Sequence, residues 1–241
     1  MNEDAQPIGQ PVPGWTTRPV PARVTLEGRF CRVEPLSADH HADDLYAAYT
    51  LDADGKDWTY MPAGPFANRE DYKNYVVTMT QADDPMHFAV VDPNTDKAVG
   101  SLALMRQDPT NGVVEVGYVA FSPRLKQTPL STEAQFLLMS YVFEGLGYRR
   151  YEWKCDSLNA PSRRAAQRLG FTFEGIFRQA VVYKGRSRDT AWYSIIDSEW
   201  PQLGKAFRDW LEPGNFDADG RQRRSLSDMR SPREISTGSR E

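Results

Sequence analysis

The order of strand-like and helix-like segments restricts the fold of this chain more than any other feature. Between residues 24 and 196 the hydrophobic spacing switches between the two-residue period of strands and the 3.6-residue period of helices. Predicted strands cover 24–36, either as one strand or as a hairpin turning at Gly28, and 87–92, 98–106, 113–121, 151–155, 172–183 and 189–196. Predicted helices cover 38–50, 69–81, 128–143 and 160–169. This order predicts a single α/β domain of the α+β type, with a mixed sheet of about seven strands flanked by about four helices.

The two ends of the chain differ from this central region. Residues 1–22 are rich in proline and lack periodicity, so we expect an extended arm there. The folded domain is expected at 23–211. Residues 212–241 are dominated by Arg, Ser, Asp and Gly, a composition that predicts a disordered polar tail.

Composition excludes several classes of protein. The chain has 241 residues, 40% hydrophobic and 26% charged, as is ordinary for a soluble globular protein. No apolar run approaches the length of a membrane span, and the polar N-terminus predicts neither a signal peptide nor an anchor. The two cysteines, Cys31 and Cys155, have no partner at ligand spacing, so we expect no metal site and a reducing cytoplasm. A net charge of −4 without a concentrated basic face argues against a nucleic-acid partner.

The segment TPLSTEAQFLLMSYVF, residues 128–143, predicts a helix whose first turn could bind an anion. Thr128 is a good N-cap, and Pro129 suits the first helical position. The amides of Leu130, Ser131 and Thr132 would then lack helical acceptors, and a phosphate would satisfy them at the positive end of the helix dipole. The alternative is an ordinary surface helix whose first turn faces water. The buried face is predicted from apolar residues at helical spacing: Ala134, Leu137, Leu138, Tyr141 and Val142.

Four stretches in a fixed order resemble the GCN5-related N-acetyltransferases. They are VVEVGYVAFSP (113–123), STEA (131–134), NAPSRRAAQRLGFTFEGIFR (159–178) and GRSRDTAWYSI (185–195). The likeness is greatest to the branch that acetylates the N-termini of ribosomal proteins. The resemblance implies an acetyl-CoA co-substrate and no metal, with the pyrophosphate at the helix start after the fourth strand.

The phosphate loop departs from the glycine-rich pattern of that family. Lys126 takes the first position of the motif, Pro129 stands where the first glycine belongs, and Ser131 replaces the second. Proline removes one N–H donor, and losing a hydrogen bond to a charged group costs about 1.5–3 kcal/mol. This departure is compatible with weakened binding of acetyl-CoA but does not predict that binding is abolished. The remaining candidate donors are the amides of Leu130, Ser131 and Thr132, the hydroxyls of Thr128, Ser131 and Thr132, and the side chains of Arg124 and Lys126.

The N-x-x-S pattern at Asn159 and Ser162 has two interpretations. Helix capping alone explains both residues. The resemblance implies that Asn159 holds the pantetheine arm and that Ser162 donates to the departing thiolate. Many relatives use a tyrosine one turn further along, where this chain has Ala166. Arg163 could meet the 3′-phosphate of CoA or belong to a solvated face.

Glu115 is the candidate catalytic base. A carboxylate within a strand of a buried sheet is costly unless it is paired, so we expect it to face a wet cleft. The alternative is a surface residue at a sheet edge. The resemblance implies that Glu115 lies beside the acetyl group and deprotonates the amine through water. It also implies that the backbone of Val116, Gly117 and Tyr118 binds the thioester.

The acceptor is expected to bind at the first two helices and the loop between them. Residues 39–57 contain six aspartates and one lysine, which favours a cationic acceptor, although a solvated acidic surface is the alternative. Trp58, Tyr60 and Phe66 are candidate pocket walls or core residues. An α-amine is about a tenth neutral at pH 7 and a lysine about one part in 2,500, a gap of about 3 kcal/mol. This gap favours α-amines or small amines of low pKa.

The sequence thus predicts an N-acetyltransferase that moves an acetyl group from acetyl-CoA to a primary amine by direct attack. The acceptor would be a protein N-terminus or a small molecule. The alternative is a CoA-binding sensor that has the fold but lacks turnover, which the altered phosphate loop and Ala166 favour. The oligomeric state stays open, with a homodimer among the arrangements compatible with the sequence.

Overall fold

The computed structural model describes residues 6–230, which form one mixed eight-stranded sheet with helices on both faces. The strands are β1 (Leu26–Glu27), β2 (Arg32–Pro35), β3 (Met86–Asp92), β4 (Lys97–Asp108), β5 (Val113–Phe121), β6 (Arg150–Asp156), β7 (Thr172–Tyr183) and β8 (Arg186–Ile196). The helices are α1 (Ala38–Tyr49), α2 (Arg69–Met79), α3 (Pro129–Ser140), α4 (Ala160–Leu169), α5 (Trp200–Trp210) and α6 (Leu226–Arg230). The predicted class is confirmed. The eighth strand arises because 24–36 is a hairpin, and α5 and α6 lie beyond the predicted elements.

The sheet has one parallel junction within residues 6–230. The strand order is β1-β2-β3-β4-β5-β6-β8-β7, and only β5 and β6 are parallel neighbours in this part of the chain. Parallel neighbours require a crossover connection, which α3 and a π-helical turn (Tyr141–Gly145) supply. This junction lies at the centre of the sheet.

The two faces of the sheet are covered by different helices. One face packs under α3, α4 and α5, where Leu138, Ala166 and Phe207 are buried in the larger core cluster. The other face packs under α1 and α2. Val114 and Val116 belong to the larger cluster, so the alternation of a strand directs Glu115 and Gly117 to the α1 and α2 side.

Residues 213–230 differ from the predicted disordered tail. Helix α6 packs against α4 and α5, and Leu226 is completely buried. Phe216 packs edge-on against Phe30 at 5.6 Å and against Trp210 at 5.1 Å between ring centroids. A few large apolar residues among many polar ones are enough to fix this segment, and a composition average hides them. The rest of the predicted tail, 231–241, lies outside the described residues.

The described part of the N-terminal arm, residues 6–22, contains no helix or strand. The indole Nε1 of Trp15 donates to the carbonyl of Thr110 at 2.9 Å. The amide of Ala22 donates to the hydroxyl of Tyr141 at 2.8 Å. The arm therefore lies along the domain next to the β4–β5 turn and the end of α3.

Glu133 joins α3 to the β1–β2 turn. Its buried carboxylate accepts hydrogen bonds from the amides of Arg29 at 2.8 Å, Phe30 at 2.5 Å and Cys31 at 2.8 Å. Three backbone donors on one carboxylate form a set of charge-assisted hydrogen bonds, which are stronger than neutral ones. This carboxylate therefore fixes α3 relative to the first hairpin.

Candidate active site

The parallel strands β5 and β6 separate halfway along their length. They pair from Val113 opposite Arg150 to Val116 opposite Trp153, and no further pairing between them follows in the described sheet. Beyond this point β5 continues to pair with β4, and β6 with β8. The facing backbone edges of 117–121 and 154–156 therefore border a gap. Val116 forms the last rung, while Gly117 and Tyr118 stand at the opening.

Two β-bulges flank Glu115. In β5, Tyr118 and Val119 together face one residue of β4, and Tyr118 has a φ of 49°. In β4, the extra residue falls at Arg106, with a φ of 51°. Bulges redirect side chains and are frequent beside active sites, and left-handed backbone at a non-glycine residue is costly. The strand distortions are therefore concentrated around the predicted base.

Glu115 is buried in a cluster of charges. Its Oε2 lies 2.8 Å from Nζ of Lys154 and 3.1 Å from Nε of Arg106. Nζ of Lys154 also lies 2.7 Å from Oε2 of Glu152. Burial raises the pKa of Glu115, and the attraction of Lys154 and Arg106 opposes that rise. The expected wet cleft and the alternative of a surface residue are both wrong for this side chain, which is only 5% exposed and is paired instead.

The start of α3 offers fewer donors than the sequence suggested. The Thr128 hydroxyl donates to the carbonyl of Leu125 at 2.6 Å, and the Ser131 hydroxyl to that of Thr128 at 2.7 Å. The hydroxyl of Thr132 is buried and accepts from Arg168 at 3.0 Å. The amides of Leu130 and Ser131 have no acceptor among residues 6–230. These two amides are the backbone groups best placed to receive an anion.

The two predicted basic residues of this loop differ in their environment. Lys126 forms a short ion pair with Asp57, which belongs to the loop between α1 and α2. Arg124 is exposed, and the described part of the chain gives it no charged partner. An anion at the helix start would therefore compete with Asp57 for Lys126.

Asn159 and Ser162 meet at the N-terminus of α4. The Asn159 side chain caps the helix by accepting from the amide of Ser162 at 3.1 Å. The Ser162 hydroxyl accepts from Nε1 of Trp153 at 3.0 Å, so its own proton remains available to donate. Trp153 is the last residue of β6 that pairs with β5, which places Ser162 at the gap. The capping role of Asn159 is therefore confirmed, and a role of Asn159 or Ser162 in binding acetyl-CoA stays a prediction.

The guanidinium of Arg163 is hydrogen-bonded within the domain. Its Nε donates to the hydroxyl of Tyr193 at 3.3 Å, and its Nη1 to the carbonyl of Ser157 at 3.3 Å. The guanidinium thus supports the loop before α4. A contact with the 3′-phosphate of CoA stays a prediction.

The candidate acceptor residues have three different environments. Trp58 is buried and packs edge-on against Tyr49 at 5.3 Å. The hydroxyl of Tyr60 donates a hydrogen bond to the carbonyl of Leu158 at 3.2 Å. Leu158 follows β6, the strand on the other side of the gap from β5. Phe66 packs against Tyr72 at 5.2 Å within the aromatic cluster of α1 and α2. A small cavity of about 60 Å³ lies beside Trp58, lined by Tyr49, Asp57, Trp58, Val119, Ala120, Phe121 and Lys126.

Lys184, which the sequence did not single out, links the loop between α1 and α2 to the β7–β8 turn. Its ammonium donates to the carbonyls of Trp58 at 2.8 Å, Gly64 at 2.9 Å and Ala63 at 3.3 Å. A lysine in a turn gives no sequence signal for such a contact. Lys184 therefore links the loop between α1 and α2 to the β7–β8 turn.

His87 lies against the bulge in β5. Its ring packs edge-on against Tyr118 at 5.0 Å, and burial lowers its pKa to about 4. A histidine in the unfolded chain titrates near pH 6.5. Between pH 6.5 and 4 this residue is therefore protonated in the unfolded chain but neutral in the folded one. We expect the free energy of unfolding to fall by about 3 kcal/mol over that interval from this residue alone.

Urea unfolding at pH 7 and pH 4.5 tests this expectation. His87→Phe should lose less stability between the two pH values than the wild type does. His40→Gln, on the exposed side of α1, is the matched control and should follow the wild type. Equal losses in all three proteins would contradict the assignment.

The fold and the gap between β5 and β6 place this protein in the class of acyltransferases that transfer acetyl groups. A crystal structure of a GCN5-related N-acetyltransferase from Brucella melitensis has a TM-score of 0.89 and 49% identity, and the match covers 91% of this chain and 99% of that one. A crystal structure of a probable GNAT-family acetyltransferase from Chromobacterium violaceum has a TM-score of 0.76 and 37% identity, covering 81% and 98% of the two chains.

The family follows from the sequence as well. The model of the acetyltransferase (GNAT) domain matches residues 32–172. The chain belongs to the GNAT acetyltransferase family, whose members use acetyl-CoA. The ribosomal-protein-serine acetyltransferase of Escherichia coli is 32% identical over 105 residues, 43% of this chain and 58% of that protein. The predicted family resemblance is confirmed. Within residues 6–230 no helix could cross a bilayer, and no group of three or more His, Cys, Asp or Glu side chains could hold a metal ion.

Proposed function

We propose that this protein transfers the acetyl group of acetyl-CoA directly to a primary amine, with Glu115 as the base. The observation that carries the proposal is the position of Glu115 beside the opening between β5 and β6. A Cβ atom built on Gly117 would lie 3.7 Å from Oε1 of Glu115, so this oxygen lies close to the first residue of the gap, beside the thioether of Met105 that fills the space there. The other oxygen is held by Lys154 and Arg106.

The residues around the gap suit acetyl-CoA. The free amides of Leu130 and Ser131 fit the pyrophosphate, and Lys126 and Arg124 supply positive charge beside it. The carboxamide of Asn159 and the exposed backbone edge at Gly117 and Tyr118 fit the amide-rich pantetheine arm. When bound, the thioester supplies an activated acetyl group.

The protein side chains would manage the protons of the reaction. The amine nitrogen attacks the thioester carbonyl carbon, an N–C bond forms and the C–S bond breaks. Glu115, through water, removes the proton that the nitrogen must lose. Ser162 donates a hydrogen bond to the departing sulfur, and its contact with the indole of Trp153 directs its hydroxyl proton away from that ring. Backbone amides at Val116 or Gly117 are the candidate donors to the carbonyl oxygen.

The acceptor class follows from charge and access. Glu115 is buried and ion-paired, so we expect it to be a modest base. An amine of low pKa is the acceptor that such a base deprotonates most easily. The cavity beside Trp58 is small, and Lys184 binds the carbonyl of Trp58 in the loop between α1 and α2. We therefore infer an α-amine of a protein N-terminus or a small primary amine, a class that includes the acceptors implied by the name of the Escherichia coli relative.

Thiol release from acetyl-CoA, measured against a panel of peptides and small amines, tests the function. Release with an α-amine, followed by mass spectrometry of the acetylated product, is the expected result. The rival function is a CoA sensor, favoured by the proline in the phosphate loop and by the pairing of Glu115. Calorimetric binding of acetyl-CoA without thiol release from any amine would support the sensor.

The Lys126–Asp57 ion pair leads to a second prediction. If Lys126 turns from Asp57 to the pyrophosphate, Asp57→Asn removes the competitor. Exposed ion pairs contribute up to about 1 kcal/mol, so we expect acetyl-CoA to bind up to about fivefold more tightly by calorimetry. The matched control is Asp54→Asn, whose carboxylate pairs with exposed Lys56 outside the cavity and should leave affinity unchanged. Weaker binding in Asp57→Asn would contradict the exchange.

A further inference from the structure

We propose that Lys154 is the positioning residue that keeps Glu115 ionised and turns its free oxygen towards the gap. This inference rests on the proposed role of Glu115 as a base and adds the group that makes the role possible. Lys154 follows Trp153, the last residue of β6 that pairs with β5. Its side chain is 6% exposed, as is that of Glu115.

The geometry separates the two oxygens of Glu115. Oε2 lies 2.8 Å from Nζ of Lys154, whereas Oε1 lies near the space above Gly117. A carboxylate fixed through one oxygen has its second oxygen in a defined direction, which is what a base acting through a single water requires. Gly117 has no side chain of its own, but the thioether of Met105 fills the space beside it, so Oε1 borders that side chain at the edge of the gap.

Lys154 is itself fixed from three sides. Its ammonium lies 2.7 Å from Oε2 of Glu152 and 3.8 Å from the centre of the Trp192 ring. Two carboxylates and an aromatic face all favour the charged ammonium. These contacts hold the ammonium of Lys154 in a fixed position beside Oε2 of Glu115.

The charges around Glu115 can be assigned element by element. Among the described residues, β4 contributes Arg106, β6 contributes Lys154 and Glu152, and β8 contributes the neutral ring of Trp192. Arg106 is 59% exposed in its side chain, so solvent screens it, whereas Lys154 is shielded from solvent. Burial raises the pKa of Glu115, Lys154 and Arg106 lower it, and Glu152 raises it. Lys154 is therefore the main group that opposes the cost of burying the carboxylate.

Replacement of Lys154 by methionine tests the proposal without relying on turnover. Side-chain carboxyl carbons of labelled glutamate, followed by NMR against pH, report the titration of Glu115 directly. We expect the pKa of Glu115 to rise by about 1–3 units in Lys154→Met, because an opposite charge at this distance shifts a carboxyl pKa by that amount. Lys154→Arg should restore most of the difference. Glu152→Gln should move the pKa of Glu115 in the opposite direction, since it removes a like charge.

The kinetic reading separates this inference from the proposed function. In an active protein, the acidic limb of the pH profile of kcat/KM should move upwards in Lys154→Met and return in Lys154→Arg. An unchanged titration of Glu115 in a folded Lys154→Met protein would overturn the inference, whatever the activity. If Lys154→Met does not fold, Lys154→Gln takes its place, and an unshifted titration of Glu115 in that variant overturns the inference. Absence of thiol release in the wild type, with the titration shifted as expected, would instead overturn the proposed function alone.

Discussion

Replacement of Glu115 by glutamine is expected to slow acetyl transfer by about 10²-fold or more, since general base catalysis contributes 10²–10⁴-fold. Glutamine keeps the shape of the side chain but cannot accept a proton. Burial raises the pKa of Glu115, and only the ionised form acts as a base. The wild-type rate should therefore fall with decreasing pH at a value above the ordinary glutamate range, and the Glu115→Gln profile should lack that limb. Steady-state kinetics from pH 5 to 9 with one α-amine acceptor would measure both effects.

Glu152→Gln is the matched control for this experiment. Glu152 binds the same ammonium of Lys154 and lies directly opposite Glu115 in the neighbouring strand. Glu152→Gln removes the same negative charge from the cluster as Glu115→Gln does. It leaves Oε1 of Glu115, the oxygen near Gly117, in place. Equal losses of activity in the two variants would assign the effect to the charge of the cluster and remove Glu115 from the role of base.

Replacement of Glu133 by alanine is expected to destabilise the fold by about 4 kcal/mol, because three buried or part-buried backbone amides lose a charged acceptor. For a domain of this size that loss corresponds to a fall in melting temperature of about 8–16 °C. Thermal unfolding followed by circular dichroism would measure it. Glu70→Ala removes an exposed glutamate from the first turn of α2 and should change the melting temperature by only a few degrees. A Glu133→Ala protein as stable as that control would show that water replaces the carboxylate at no cost.

The alternation of strand and helix patterns was enough to predict the architecture. The spacing of Leu137, Leu138 and Tyr141 correctly indicated α3, and the run around Glu115 correctly indicated β5. Both elements have strong periodic patterns that packing then satisfies. Helix α5 was not predicted, although its buried residues also follow a helical spacing: Trp200, Leu203, Ala206, Phe207 and Trp210.

The site was harder to predict because its chemistry depends on contacts between distant segments. Nothing in the sequence near Glu115 indicates that Lys154, on the next strand, would hold its carboxylate. The same is true of Lys126 and Asp57, which are paired across the cleft, and of Lys184. Strand register and loop closure bring such residues together, and neither is encoded in local spacing.

The packing of the C-terminal segment has a practical consequence for recombinant fragments. The carbonyl of Arg230 accepts from Gln202 at 2.8 Å, which links the end of α6 to α5. A clone truncated after Leu211, where the sequence predicts the end of the domain, would uncover Trp210 and discard Leu226. Such a clone is expected to aggregate, whereas one that extends at least to Arg230 keeps the apolar surface covered and suits crystallisation with acetyl-CoA.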